Sequence, residues 1–395
     1  MRFLLDGTTG LLGRNLLFEI IKQNLNNLDN IEIIILGKES GGICLECRMD
    51  EIILNDGFDY LNLDRNSDYF SYIKSRIKFI EFDLTKPNLG LCPDDIQFLR
   101  KEKIDYFFHI AALSSFFDTP EIINQLNLIN IEGTKHLLNL VKEINVNHFI
   151  YISSAYSAGA FQKEIYPDFI NKTNIFRNPY ERTKLEAELY LIDFAKKENM
   201  NFKIYRITTI SGRLIENEIG SINKFDVFYG WGLYFLKLKM KLIKNSENIY
   251  SEPYEIKLRI QVHPANMMNI IPVDYGAKLL YYSVNDNLKN KNFHLVNDFD
   301  ISTHLATKMI LDTLNIQGYS FVEKEPEVKN QFEKFYYRTV GKIFTPYIID
   351  PPLHYNNDNL KGIIKDNNLV CPEMNETNFQ KLLDYAKKHN FGIAE

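Results

Sequence analysis

Tyr180 and Lys184 stand four residues apart, a spacing that brings a phenol and an ammonium onto one face of a helix. Upstream, Ile152-Ser153-Ser154-Ala155-Tyr156 ends an apolar run with two hydroxyls. Such a trio suits addition of hydride to a carbonyl, because the oxyanion formed must be held and protonated. A phenol, with a pKa of about 10, donates that proton once a nearby ammonium lowers its pKa. Lys184 supplies the charge, and a serine hydroxyl holds the carbonyl oxygen. Taken alone, Tyr-x-x-x-Lys carries little information in a chain with 23 tyrosines; its place after the serine strand gives it weight. Strand alternation lets only one of Ser153 and Ser154 face a cleft well, and on this ground both stay in play. Asn130 lies inside an otherwise helical pattern, where Asn is disfavoured. It is either a buried polar group near the lysine or a surface side chain.

A hydride donor must lie beside these groups, and the N-terminus offers a place for one. Gly7-Thr8-Thr9-Gly10-Leu11-Leu12-Gly13 gives G-x-x-G-x-x-G between an apolar strand and the helical pattern at 11–21. Glycines are needed where a side chain would block the approach of backbone to a pyrophosphate, and the helix N-terminus offers it free N–H groups. That is the context of a dinucleotide site. At the tip of the second strand a carboxylate would bind the ribose hydroxyls of NAD, whereas a cation accepts the 2′-phosphate of NADP. The tip here is Ile35-Leu36-Gly37-Lys38, with no acid, which points to NADPH with NADH as the alternative. A solvated loop lysine is the plainer account of Lys38. Asp83-Leu84 is placed to touch the adenine, and His109-Ile110-Ala111-Ala112 to line the cleft.

Positioning these groups takes a parallel sheet wrapped by helices, and the first half of the chain alternates accordingly. Strands are expected at 2–5, 31–36, 77–82, 106–110, 148–152 and 202–207. They form an α/β, doubly wound parallel Rossmann sheet with its ligand site beyond the carboxyl ends of the strands. Residues 38–75 carry a helix and an irregular excursion. The cofactor domain spans 1–213, with 262–283 returning to it. A smaller α/β substrate-binding region follows at 214–300, and a helical C-terminal extension at 301–395. The aromatic stretch 225–235, followed by Lys237, Lys239, Lys241 and Lys244, reads foremost as a core-packing helix with a solvated basic end, then as a substrate lid, and last as a peripheral membrane contact.

The chain has 395 residues, 45% of them hydrophobic, enough for a large core. A net charge of -5 gives no global reason to expect a nucleic-acid partner, so the expected ligands are small molecules. The first residues lack the apolar core of a signal peptide and the length of a spanning helix, and four cysteines are too few for a disulfide framework, which together suggest the cytoplasm. Cys44-x-x-Cys47 is read as an ordinary loop rather than a metal or redox pair, since no second pair follows; no metal is expected.

Together these motifs resemble the extended short-chain dehydrogenase/reductase superfamily over residues 1–300. The resemblance implies that Ser154, Tyr180 and Lys184 are catalytic, with Asn130 in support. It favours Ser154 over Ser153, because that hydroxyl stands five residues before the closing Gly159. The segments 83–91 and 270–275 are similar to the thioester reductases and fatty acyl-CoA reductases related to male-sterility proteins. Two departures stand out: Asp6 where the family has Thr, and Gly37-Lys38 where an Arg is common. The resemblance implies an NADPH-dependent reductase of an acyl thioester, delivered by coenzyme A or, since the chain lacks adenylation and carrier domains, by a separate acyl carrier protein. Nucleotide-sugar epimerases or dehydratases and hydroxysteroid-like dehydrogenases are the runners-up. Arg206, Arg213 and Arg259 are candidates for the second pyrophosphate that a nucleotide sugar carries. A cofactor-binding protein without chemistry is a third reading, opposed by the intact Ser154, Tyr180 and Lys184.

Overall fold

In a computed structural model, which describes residues 1–160, 164–173, 175–243, 248–284 and 290–393, seven strands form one parallel sheet. They are β1 (Arg2–Asp6), β2 (Glu32–Gly37), β3 (Ile77–Glu81), β4 (Lys103–His109), β5 (Asn145–Ser154), β6 (Phe202–Ile207) and β7 (Lys291–Leu295). The order is β7-β6-β5-β4-β1-β2-β3, so strand order reverses between β1 and β4, where a ligand crevice opens. Strand alternation explains why helices cover both faces. Phe3, Leu5, Ile33, Ile35, Phe108 and Ile150 point to one side and pack on helices Leu11–Asn24 and Val273–Ser283. Their neighbours Leu4, Ile34, Leu36, Phe107 and Phe149 point to the other, onto helices Gly133–Glu143 and Pro179–Glu198.

Six of these strands fall where the sequence pattern puts them. β7 was not foreseen: Lys291-Asn-Phe-His-Leu295 alternates too briefly to be read as a strand, and its register with β6 makes it one. Strand Ile270–Pro272 pairs with Thr209–Ser211 and leads into helix Val273–Ser283, whose Val273, Leu279 and Leu280 share the core of helix Leu11–Asn24. Buried Asp274 fixes this junction by accepting backbone N–H groups of Ile215 at 2.6 Å and Glu216 at 2.8 Å.

A separate core is built around helix Phe228–Leu242 and two parallel strands, Tyr254–Gln261 and Ile316–Val322, while Leu360 and Cys371 from the C-terminal stretch join the first core. The stretch beyond 301 is therefore not helical throughout, and this strand pair joins it to residues 214–300. The aromatic stretch supplies core residues Phe228, Tyr229, Trp231 and Phe235, while Lys237 and Lys241 are exposed. Lys239 departs from that solvated end. It is buried and donates to the carbonyls of Glu252 and Leu314. Lys244 lies outside the described residues. Among the described residues no helix is long and apolar enough to cross a membrane.

Candidate active site

The glycine loop is held by contacts that only glycine allows. Gly7 has φ +66°, and a Cβ there would meet the Ala111 nitrogen at 2.8 Å. At Gly13 it would meet the Gly7 carbonyl oxygen at 2.3 Å. Gly10 caps helix Leu11–Asn24 without any side-chain hydrogen bond, and no acid stands in the first turn, so the first N–H groups are left for an anion. This cradle fits the pyrophosphate of a dinucleotide.

A cavity of about 690 Å³ opens beyond these strand ends. Its wall contains the whole loop from Gly7 through Thr8, Thr9, Gly10, Leu11 and Leu12 to Gly13. It continues past Lys38, Asp83, Leu84, Ala111 and Ala112 to Ser154, Tyr180 and Lys184. Asn130 stands apart, in a π-helical turn, Asn127–Glu132, behind the wall. Its side chain is buried, accepts from Leu113 N at 2.8 Å, and donates to Leu113 O at 3.0 Å and to Thr183 Oγ1 at 3.2 Å. It holds the cavity-lining backbone at Leu113 and reaches the residue before Lys184, with no bond to the lysine itself.

The two serines part company at the end of β5. Ser153 Oγ donates to the buried Glu188, which also grips Arg206 through a 2.6 Å bond from Nη2. Ser154 Oγ accepts from Tyr156 N at 3.2 Å and lies in the same cavity wall as Tyr180. Burial pushes the Tyr180 phenol up to about 12, with the Ser154 hydroxyl pulling the other way. Lys184 is buried and donates to Ile152 O at 2.8 Å; desolvation brings it down to about 8, opposed by Glu188 and Asp6. The expected lowering of the phenol by the ammonium is absent from this arrangement, where desolvation wins for both groups.

At the adenosine end Lys38 is exposed and pairs with Asp83 at 3.2 Å. Sequence reasoning missed its companion Arg48, which donates to Lys38 O at 3.0 Å and lines the same end of the cavity. The opposite end is aromatic: Phe116, Tyr156, Trp231, Phe344 and Tyr347 come from several separate chain segments. Arg177, also missed, joins them, donating to Gly159 O at 2.9 Å and Pro346 O at 3.1 Å and stacking on Tyr347. Asn178 caps helix Pro179–Glu198, its Oδ1 accepting from Glu181 N at 3.1 Å, and only the tertiary fold brings the preceding Arg177 to the wall. The arginines proposed for a second pyrophosphate are all engaged elsewhere: Arg206 with Glu188, Arg213 with Asp56 at 2.6 Å, and Arg259 with Glu333 at 2.7 Å. None of the three lines the cavity.

A parallel sheet with this strand order, a glycine cradle at its switch point and a Ser-Tyr-Lys group in the adjoining wall define an NAD(P)-binding Rossmann enzyme of the oxidoreductase type. The sequence places it more closely. Residues 5–280 match the male sterility protein family, and the chain belongs to that NAD(P)-binding family.

Among curated relatives, a component of the linear gramicidin synthase of Brevibacillus parabrevis is 21% identical over 316 residues, covering 77% of this chain and 6% of that protein. Chloroplastic fatty acyl-CoA reductase 2 of Arabidopsis thaliana is 23% identical over 208 residues, covering 51% of this chain and 33% of the reductase. The chain thus spans a third or less of either relative. Of solved structures, the terminal R domain of the myxalamid PKS-NRPS biosynthetic pathway aligns with a TM-score of 0.71 at 17% identity, covering 99% of this chain and 91% of that one. The Y149F mutant of UDP-glucuronic acid 4-epimerase from Bacillus cereus, in complex with NAD and a fluorinated UDP-sugar, aligns at 0.62 and 15% identity over 98% and 99%. The neighbours are thus divided between reductase and nucleotide-sugar types.

Proposed function

We propose that the chain is an NADPH-dependent reductase of an acyl thioester. The observation that carries this reading is the continuous wall from the glycine cradle, past Ser154 and Tyr180, to an aromatic end able to enclose an acyl chain. When bound, the nicotinamide supplies the hydride. Ser154 and Tyr180 hydrogen-bond the thioester oxygen from one side, stabilising the oxyanion as it forms. Tyr180 Oη then gives up its proton, while Lys184, in the same wall, offers its ammonium to the nicotinamide ribose when the cofactor is bound. Loss of thiol from the resulting hemithioacetal leaves an aldehyde, which the same three residues can take on to alcohol once the spent cofactor is exchanged for a second NADPH. The thioester arrives on coenzyme A or on an acyl carrier protein. Arg48 beside Lys38 supports NADPH over NADH, since two cations flank the adenosine end.

The likeness to nucleotide-sugar enzymes supports a second reading as an epimerase or dehydratase. Against it stands the engagement of Arg206, Arg213 and Arg259 in ion pairs away from the cavity. Incubating the protein with NADPH and acyl-CoAs of several lengths, then assaying free thiol with aldehyde or alcohol, separates the two. Thiol release matched to NADPH oxidation is expected. Turnover of a nucleotide sugar or a simple ketone, with no acyl-CoA or acyl-carrier substrate releasing thiol, would overturn the thioester reading.

A further inference from the structure

Directly before the glycine cradle, where a neutral residue would suffice to end a strand, the chain carries a fully buried carboxylate. Asp6 Oδ1 accepts the backbone N–H groups of Ile110 at 2.6 Å and Ala111 at 2.7 Å. Its Oδ2 lies 2.5 Å from His109 Nδ1, and the His109 ring is itself buried beside Phe149 and Tyr151. On the far side His109 Nε2 lies 3.4 Å from Thr134 Oγ1, whose hydrogen is already donated to Asn130 O at 2.7 Å.

Burying an ion is costly unless it is paired and fully hydrogen-bonded. Here each of these bonds to the ion comes from the segment 109–111, which forms the opposite side of the cofactor cleft. Ala111 is the residue whose nitrogen approaches Gly7 so closely that no Cβ fits between them. The carboxylate therefore fixes the distance between the two strand ends that a dinucleotide must fit. It does so while taking up N–H groups that would otherwise be free at the end of β4.

We propose that Asp6, with His109 behind it, is a positioning residue for the cofactor. It ties the exit of β4 to the glycine loop so that residues 110–112 present a preformed wall to the dinucleotide, and its loss weakens cofactor binding far more than the chemical step. Geometry of this kind is set in advance of binding, which is how preorganisation raises affinity.

The test measures NADPH and NADH affinity by fluorescence titration in Asp6→Ala, Asp6→Asn and His109→Gln, together with thermal melting and hydrogen exchange over residues 106–116. Asp6→Ala is expected to weaken both cofactors about tenfold or more and to speed exchange of the Ile110 and Ala111 amides. Asp6→Asn, which keeps an acceptor oxygen, should recover part of the affinity, and His109→Gln should fall between the parent and Asp6→Ala. A folded Asp6→Ala protein with parental affinity for both cofactors overturns the proposal. So does a set in which Asp6→Ala and Asp6→Asn both fail to fold, since the pair is then a folding element. Because the readout is cofactor affinity, the outcome is independent of whether the substrate is a thioester.

Discussion

The two ends of the cavity are made of different material. Around the cofactor cradle the wall is largely backbone, brought close by glycines within one strand, turn and helix. At the other end it is aromatic side chains from separate segments that meet only in the folded chain. A wall of backbone tolerates no added methyl group, whereas a wall of side chains can be resized. One fold can thus keep its cofactor while its substrate changes.

That contrast is tested most sharply at the atoms between the two ends. Tyr180→Phe removes only the proton donor, so turnover of an acyl-CoA should fall about 10²–10⁴-fold while cofactor affinity stays near the parental value. Steady-state assay with parallel cofactor titration checks both. Next in size is Gly13→Ala at the cradle. Its Cβ would sit 2.3 Å from the Gly7 oxygen, so cofactor affinity should drop about a hundredfold or the fold should lose roughly 1–3 kcal/mol, read by titration and urea unfolding.

At the aromatic end, Phe344→Ala should shift chain-length preference about tenfold in kcat/KM across an acyl-CoA series and leave cofactor affinity alone. Arg48→Ala should weaken NADPH about tenfold and NADH hardly at all, by direct titration of both. The mildest effect concerns pH. Lys184, brought down to about 8 by burial, holds its ammonium below that pH and loses it as pH rises through it, while Tyr180, up at about 12, keeps its proton. The rate of reduction should decline above about pH 8, and Lys184→Arg, which stays charged, should remove that decline.

The same contrast explains what was legible in the sequence. The cradle was readable because its requirements are local: seven consecutive residues, a strand before them and a helix after. Tyr180 and Lys184 were readable for the same reason, lying on one helix face. Asp6 was visible as a departure, but its purpose needs β4, more than a hundred residues away. Arg48 lies on a short helix, Leu45–Ile52, whose place beside Lys38 is set by the tertiary fold and not by any spacing in the sequence. Lys239 looked like a solvated end because three lysines alternate with apolar residues there, yet its position on the helix turns it inward onto two carbonyls. Short β7 depended on pairing with a strand some ninety residues earlier, information that a window of five residues does not hold.

The placement of Phe344, Tyr347 and Tyr355 in the cavity wall also orders events during synthesis. The cradle, Lys38, Asp83, Ala111, Ser154, Tyr180 and Lys184 are all in hand by residue 184, whereas these three aromatic groups emerge within the last fifth of the chain. A ribosome-bound chain therefore carries these groups long before the aromatic end of the cavity wall is complete. A stop codon ahead of residue 344 would leave those groups in the chain and the cavity wall without Phe344, Tyr347 and Tyr355.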